Sequence, residues 1–187
     1  FKYIDEIDKA VNENPPDILA MSNYAWCNRI SREISKIFSK LNPNGIIVWG
    51  GPNFPLDLPS QERFFSVNSI IDIYVPVEGE IGFANVVKKA LEVNSKDEFR
   101  NKMLEEPIDG CITRLKNGKL QYSTAPIRTK QLDEIPSPYT TGILNEFFDG
   151  KLAPMIQTNR GCPFSCTFCV DGSDLVNKIN SFSNERV

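Results

Sequence analysis

The sequence predicts an α/β protein: a doubly wound parallel sheet, then a linker, then the opening of a second unit. Three observations carry this. Short apolar runs bounded by turn residues recur over residues 1 to about 93. Amphipathic helical segments separate them. The runs "DILAMS", "IIVWGG" and "IDIYVPV" are apolar on successive positions, as strands buried on both faces are.

The elements follow in order. Residues 3 to 12 set Ile4, Ile7 and Val11 at helical spacing, and Pro15 and Pro16 close that helix. Ile18 to Met21 is a buried strand. In the next segment Trp26, Ile30, Ile34, Ile37, Phe38 and Leu41 share one helical face, with Arg29, Arg32, Glu33 and Lys36 elsewhere. "NPNG" is a turn, and "IIVWGG" a second strand ending in two glycines. Ile71 to Val75 is a third strand. A further amphipathic helix turns Phe83, Val86, Val87, Ala90 and Leu91 inward. Because the pattern opens on a helix, a first strand is expected upstream.

Beyond residue 93 the composition changes. Residues 94–142 read as a polar stretch, a hairpin turning at Asn117-Gly118, and an extended linker carrying Pro126, Pro136 and Pro138. Residues 143–187 open a new unit, with a strand at Met155 to Thr158 running into a group of cysteines. Only residues 170–187 follow the last of these, so this unit is expected to be incomplete.

Bulk properties exclude several classes. The 187 residues carry a formal net charge of -3, which makes no electrostatic case for nucleic acid or an anionic membrane. No apolar run approaches the roughly 20 residues of a membrane span. The amino terminus lacks the basic leader and apolar core of a signal peptide, and the chain begins on Phe1 rather than methionine, as a fragment would. Five cysteines, an odd number with three clustered, fit reduced thiols in the cytoplasm better than a disulfide framework.

The cluster is Cys162, Cys166 and Cys169, in "RGCPFSCTFC". Three thiolates this close suit a soft metal centre. A closed zinc site or a ferredoxin-type cluster needs four ligands, and the chain contains no histidine to add one. Either the metal is left open to something other than protein, or Cys27, Cys111 or a residue elsewhere completes it. Under that alternative the protein is a non-catalytic iron–sulfur or zinc-binding, electron-transfer module. Cys27 and Cys111 themselves read as core residues.

"CPFSCTFC" resembles the C-x3-C-x-aromatic-C signature of the radical S-adenosylmethionine superfamily, in the loop after the first strand of that family's partial (β/α) barrel. The resemblance implies an enzyme in which Cys162, Cys166 and Cys169 each bind one iron of a 4Fe–4S cluster. The fourth iron would chelate S-adenosylmethionine, and the backbone of Phe168 would face its adenine. Reductive cleavage would yield a 5′-deoxyadenosyl radical, with the electron coming from a donor such as flavodoxin or ferredoxin. The partner acted on would be a small-molecule substrate.

In the first domain, three predicted strand ends offer Ser22, Asn23 and Tyr24, then Gly50 and Gly51, then Glu78, Gly79 and Glu80, to one crevice. Taken singly, a glycine pair is a turn and a Ser-Asn pair an N-cap. Together, and joined to the cysteine loop, they resemble the cobalamin-binding domain of the cobalamin-dependent radical S-adenosylmethionine class, which carries a glycine pair after one strand and a Gly-Glu pair after the next. The resemblance implies a parent enzyme that binds cobalamin at these residues and transfers a methyl group, or performs a rearrangement. One departure stands out: the Asp-x-His-x-x-Gly motif of many cobalamin domains has no counterpart, so that segment lies upstream or cobalt has no histidine ligand here. The related methylthiotransferase branch would need three more cysteines in the first domain. Arg160, Asp171, Gly172 and "LDEIPSPY" read as structural residues: an ion pair, a helix cap and linker packing.

Overall fold

The computed structural model describes residues 3–123, 128–174 and 176–187. Pro126 of the expected linker lies outside these. The chain divides into two units, Phe1–Ile127 and Arg128–Val187.

Unit 1 is built on one five-stranded sheet in the order β1-β2-β3-β4-β5. The strands are β1 (Ile18–Ser22), β2 (Ile46–Gly50), β3 (Ile73–Val75), β4 (Ile112–Arg114) and β5 (Leu120–Tyr122). The first three are parallel, with Ile18 opposite Ile46 and Val48 opposite Ile73. The last two are antiparallel, so the sheet is mixed rather than purely parallel. The expected Asn117-Gly118 hairpin is present, with Gly118 at φ +78°. It is not a linker, however: its strand β4 pairs with β3 and extends the sheet. Its apolar residues Cys111 and Ile112 have a strand beside them to cover, which a free hairpin lacks.

Among the described residues five α-helices accompany the sheet: α1 (Ile4–Glu13), α2 (Asn28–Leu41), α3 (Leu58–Val67), α4 (Gly79–Leu91) and α5 (Phe99–Met103). They cover both faces, as a doubly wound sheet requires. On one face Ile47 and Trp49 of β2 and Tyr74 of β3 meet Val11 of α1, Ile34 and Phe38 of α2, and Phe65 of α3. On the other, Ile46, Val48, Ile73 and Val75 meet Val86 of α4 and Phe99 and Met103 of α5. The adjacent residues Ile46 to Trp49 are each 2% exposed or less. That is why β2 reads as an unbroken apolar run.

The sequence pattern missed α3 and α5. The signal for α3 was its start: Asp57 accepts the Ser60 N–H at 2.9 Å, with proline in the first turn. The same hydrogen bonds hold the Asp57 carboxyl below its ordinary pKa. Arg114 closes the other end of α3. Its guanidinium donates to the carbonyls of Phe65 at 2.7 Å and Ile71 at 3.1 Å, and lies over the Phe65 ring. Five residues expected on the buried helical faces are exposed: Trp26, Ile30 and Leu41 at α2, and Val87 and Leu91 at α4. Trp26 precedes α2, so helical periodicity does not apply to it, and it is 79% exposed. Leu91 is the last residue of α4, and Val87 lies one turn earlier on a helix whose buried residues are Gly82 and Val86.

Unit 2 contains a single short ladder among its described residues, β6 (Asn159–Arg160) against β7 (Asn180–Ser181). The expected strand Met155 to Thr158 is not formed. The Tyr139 hydroxyl donates to the Met155 carbonyl at 2.8 Å and accepts the Met155 N–H at 3.1 Å, taking the groups a strand partner would have used. Residues 128–137, read as an extended linker, are docked on the carboxyl-terminal segment. Arg128 donates to the Lys178 carbonyl, Asn180 to that of Thr129, and Arg186 to those of Ile135 and Pro136. Asp133 accepts the Ser183 N–H at 3.0 Å. Phe182 sits beneath the guanidinium groups of Arg160 and Arg186.

An ion pair between buried Asp72 and half-exposed Arg100 ties α5 to the sheet. Asp72, immediately before β3, accepts the Ile47 N–H at 2.9 Å and is held by both terminal nitrogens of Arg100. Arg100 also donates to the Gly45 carbonyl at 2.7 Å. Removing one partner leaves a charge without compensation in a nearly dry site. The expected cost of Arg100→Ala is about 3 kcal/mol, read as a lower urea midpoint at unchanged slope.

Candidate functional site

The carboxyl ends of β1, β2 and β3 lie side by side because the three strands are parallel and in register, with Ser22 opposite Gly50 and Gly50 opposite Val75. A crevice of about 410 Å³ opens there. Its walls include Ser22 from β1, Gly50 from β2, Val75 from β3, and Gly79, Glu80 and Phe83 from the start of α4. The structure therefore brings together Ser22, Gly50, Gly79 and Glu80.

The other expected crevice residues are placed differently. Asn23 is fully buried and belongs to an internal network: its side-chain amide donates to the Asn53 carbonyl at 2.6 Å and to the Tyr74 hydroxyl at 3.1 Å. Tyr24 points outward and stacks on Trp26, ring centroids 4.7 Å apart. Gly51 packs inward at φ +126°. A side chain there would bring its Cβ within 2.8 Å of the Asn23 carbonyl oxygen. Gly51 is therefore required by an approach of backbone to backbone. Glu78 occupies the N-cap of α4 without a side-chain capping bond. The turn before it contains Val77 at φ +59°, a costly conformation for a β-branched residue.

Two cysteines lie in unit 1. Cys111 is a core residue, 1% exposed, and burial pushes its thiol up to about 12. Cys27 is not a core residue. It stands at the N-cap of α2, beside Ser22: its thiol donates to the Ser22 carbonyl at 3.2 Å and accepts the Tyr24 N–H at 3.3 Å. Burial works to raise its pKa, but hydrogen bonds from Ser22, the Tyr24 N–H and Ser31 outweigh it, and the net effect is a lowered value. The helix amino terminus favours the thiolate in the same direction.

In unit 2 the cysteine loop follows β6 directly. Cys162 is half-buried, Cys166 and Cys169 are exposed, and all are free thiols. The Cys169 N–H donates to the Cys166 carbonyl at 3.2 Å, and the Gly172 N–H to that of Cys169 at 3.2 Å. A Cβ on Gly172 would meet the Cys166 carbonyl oxygen at 2.6 Å, so this turn closes tightly on the loop. Phe168 is 92% exposed. As a donor set, three neighbouring thiols suit iron. Among the described residues, no three histidine, cysteine, aspartate or glutamate side chains are gathered closely enough to hold a metal ion.

No protein-family model matches the chain. It is similar to the cobalamin-dependent radical SAM methyltransferase TokK of Streptomyces tokunonensis, 29% identical over 92% of this chain and 24% of the relative. A 2-(S-pantetheinyl)-carbapenam-3-carboxylate methyltransferase of Streptantibioticus cattleyicolor is 28% identical over 96% of this chain and 26% of its own. An uncharacterized methyltransferase of Pyrococcus horikoshii is 27% identical over 97% of this chain and 37% of its own. The chain spans about a quarter of the length of the first two of these curated relatives.

The similarity runs through both units. It therefore supports a link to cobalamin-dependent radical SAM methyltransferases through the sheet as well as the cysteine loop. Met21, Val75 and Phe83 of the crevice escaped the sequence reading, because an apolar wall residue looks like any core residue. The Tyr74 network escaped it too, although a phenol inside a buried strand needs a partner. Among the described residues no helix is long and apolar enough to cross a membrane.

Glycine substitutions separate the two kinds of glycine at this edge. Gly51→Ala forces both a positive φ and a backbone clash and is expected to cost about 2–3 kcal/mol. Gly79→Ala meets nothing within 4 Å and is expected to leave stability within about 0.5 kcal/mol. Urea unfolding measures both. In the native protein at neutral pH, iodoacetamide is expected to alkylate Cys27 well before Cys111, because only Cys27 is accessible with a lowered pKa. Timed mass spectrometry of the peptides reads this, and equal rates would contradict the placement of the two thiols.

Proposed function

We propose that this chain belongs to a cobalamin-dependent radical S-adenosylmethionine methyltransferase. Unit 1 would hold part of cobalamin, and unit 2 would open the catalytic domain. The observation that carries this reading is that one similarity to such an enzyme runs over 92% of the chain, sheet and cysteine loop together.

In this reading Cys162, Cys166 and Cys169 would ligate a 4Fe–4S cluster, leaving one iron for S-adenosylmethionine, with the Phe168 backbone near its adenine. The cluster would supply the electron that cleaves S-adenosylmethionine, and cobalamin the methyl group that is transferred. Metal binding would also order the loop, as it does where ligands are not pre-assembled. Ser22, Gly50, Gly79 and Glu80 would border cobalamin. Cobalamin is much larger than the crevice, so these residues would receive one part of it, with open space beside Gly79. The chain's lack of histidine means that none of its own residues would give cobalt an imidazole ligand. A flavodoxin or ferredoxin would supply electrons, and the substrate would be a small molecule. The protein would work in the cytoplasm.

The alternative, a closed module with a fourth cysteine, finds little support in unit 1. Cys111 is enclosed in the core and Cys27 is engaged at the start of α2.

Electron paramagnetic resonance of the full-length protein, reconstituted anaerobically and reduced with dithionite, tests the reading. A 4Fe–4S signal that shifts when S-adenosylmethionine is added, and that Cys162→Ala, Cys166→Ala or Cys169→Ala abolishes, is the expected result. A signal indifferent to S-adenosylmethionine would overturn it in favour of a fourth protein ligand.

A further inference from the structure

Four neutral side chains, Asn23, Asn28, Asn53 and Tyr74, connect the strand ends that form the crevice. Asn23 uses its whole hydrogen-bonding capacity. Its amide nitrogen donates to the Asn53 carbonyl and the Tyr74 hydroxyl, and its amide oxygen accepts from Asn28 at 2.8 Å and Asn53 at 3.2 Å. Its backbone N–H donates to the Gly50 carbonyl at 2.6 Å. The Tyr74 hydroxyl passes the chain on, donating to the Gly51 carbonyl at 2.7 Å. The network thus runs from the turn after β1, through β3, to the glycine turn after β2.

Core packing does not need this network. The Tyr74 ring is fully buried and stacks on Phe54 with centroids 3.9 Å apart, contacts that phenylalanine would keep. Buried polar groups are costly unless every member is satisfied, and their gain is one fixed geometry. Here that geometry is the position of Ser22 and Gly50, two walls of the crevice.

We infer that Tyr74 and Asn23 are positioning residues that hold the Ser22 and Gly50 walls in the ligand-receiving arrangement, so that ligand affinity depends on them more than folding does. This inference rests on the reading of the crevice as a cobalamin site. Neither residue needs to touch the ligand. A preformed wall spares the ligand the entropy of ordering it.

The test uses the full-length protein and hydroxocobalamin, titrated by absorbance, with thermal unfolding of the unliganded protein alongside. Tyr74→Phe is the main variant, Asn23→Ser the second should the first fail to fold, and Val11→Ala on α1 a core control away from the crevice lining. The expected result is a Kd raised about tenfold in Tyr74→Phe, equivalent to about 1.4 kcal/mol. Val11→Ala, at a comparable Tm, is expected to bind as wild type does. If wild type binds and Tyr74→Phe binds equally well, the positioning role is overturned while the cobalamin reading stands. If Val11→Ala weakens binding as much, the effect is one of general stability and the role is again overturned. If wild type takes up no hydroxocobalamin, the reading of the crevice fails, and the inference with it.

Discussion

Strand β2 is buried on both faces, and unit 1 is arranged to satisfy that requirement. Ile46 and Val48 must be covered from one side, Ile47 and Trp49 from the other. One layer of helices cannot do both. The chain therefore places α1, α2 and α3 on one face and α4 and α5 on the other, with β1 and β3 flanking β2. Even the one polar group of this strand is matched: the Trp49 indole N–H donates to the Ser35 hydroxyl of α2 at 3.0 Å.

Parallel strands make the two ends of the sheet unlike, and the chain uses them differently. At the amino-terminal end of β3 stands a charge pair, Asp72 with Arg100, that fastens α5 to the strands. At the carboxyl end the ties are neutral, running through Asn23, Tyr74 and the Gly51 carbonyl. They leave an open crevice beside them. Backbone exceptions gather at this second end: Gly51 at φ +126° and Val77 at φ +59°. Among the described residues Val77 is the one residue other than glycine with a positive φ, and it stands in the turn that delivers Gly79 and Glu80 to the crevice. Strain of this kind persists where surrounding structure over-determines it.

Unit 2 follows another logic. Its order comes from side chains that grip backbone: Arg128 and Arg186 on carbonyls, Asp133 on an N–H, and Tyr139 on both groups of Met155. Its large apolar residues are mainly exposed, among them Met155, Phe164 and Phe168. The cysteine loop projects from this frame, its backbone turned at Cys166–Cys169 and closed by Gly172, its thiols apart.

The sequence by itself determined the parts of unit 1 that depend on neighbours in the chain. Apolar runs with turn residues located β1, β2 and β3, helical periodicity located α1, α2 and α4, and Asn117-Gly118 located the hairpin. The cysteine spacing, a local property, was equally legible. Tertiary structure decided what depends on distant partners. Whether the hairpin was free or part of the sheet depended on β3, whose edge β4 takes up. Whether Asn23 faced ligand or protein depended on Asn53 and Tyr74, which lie 30 and 51 residues away. Cys27 and Cys111 looked alike in sequence, yet one packs in the core and the other lies at a helix start beside Ser22. Periodicity reports which face of an element is apolar. Which polar atoms meet at the strand ends is settled by loop closure, and no local pattern encodes that.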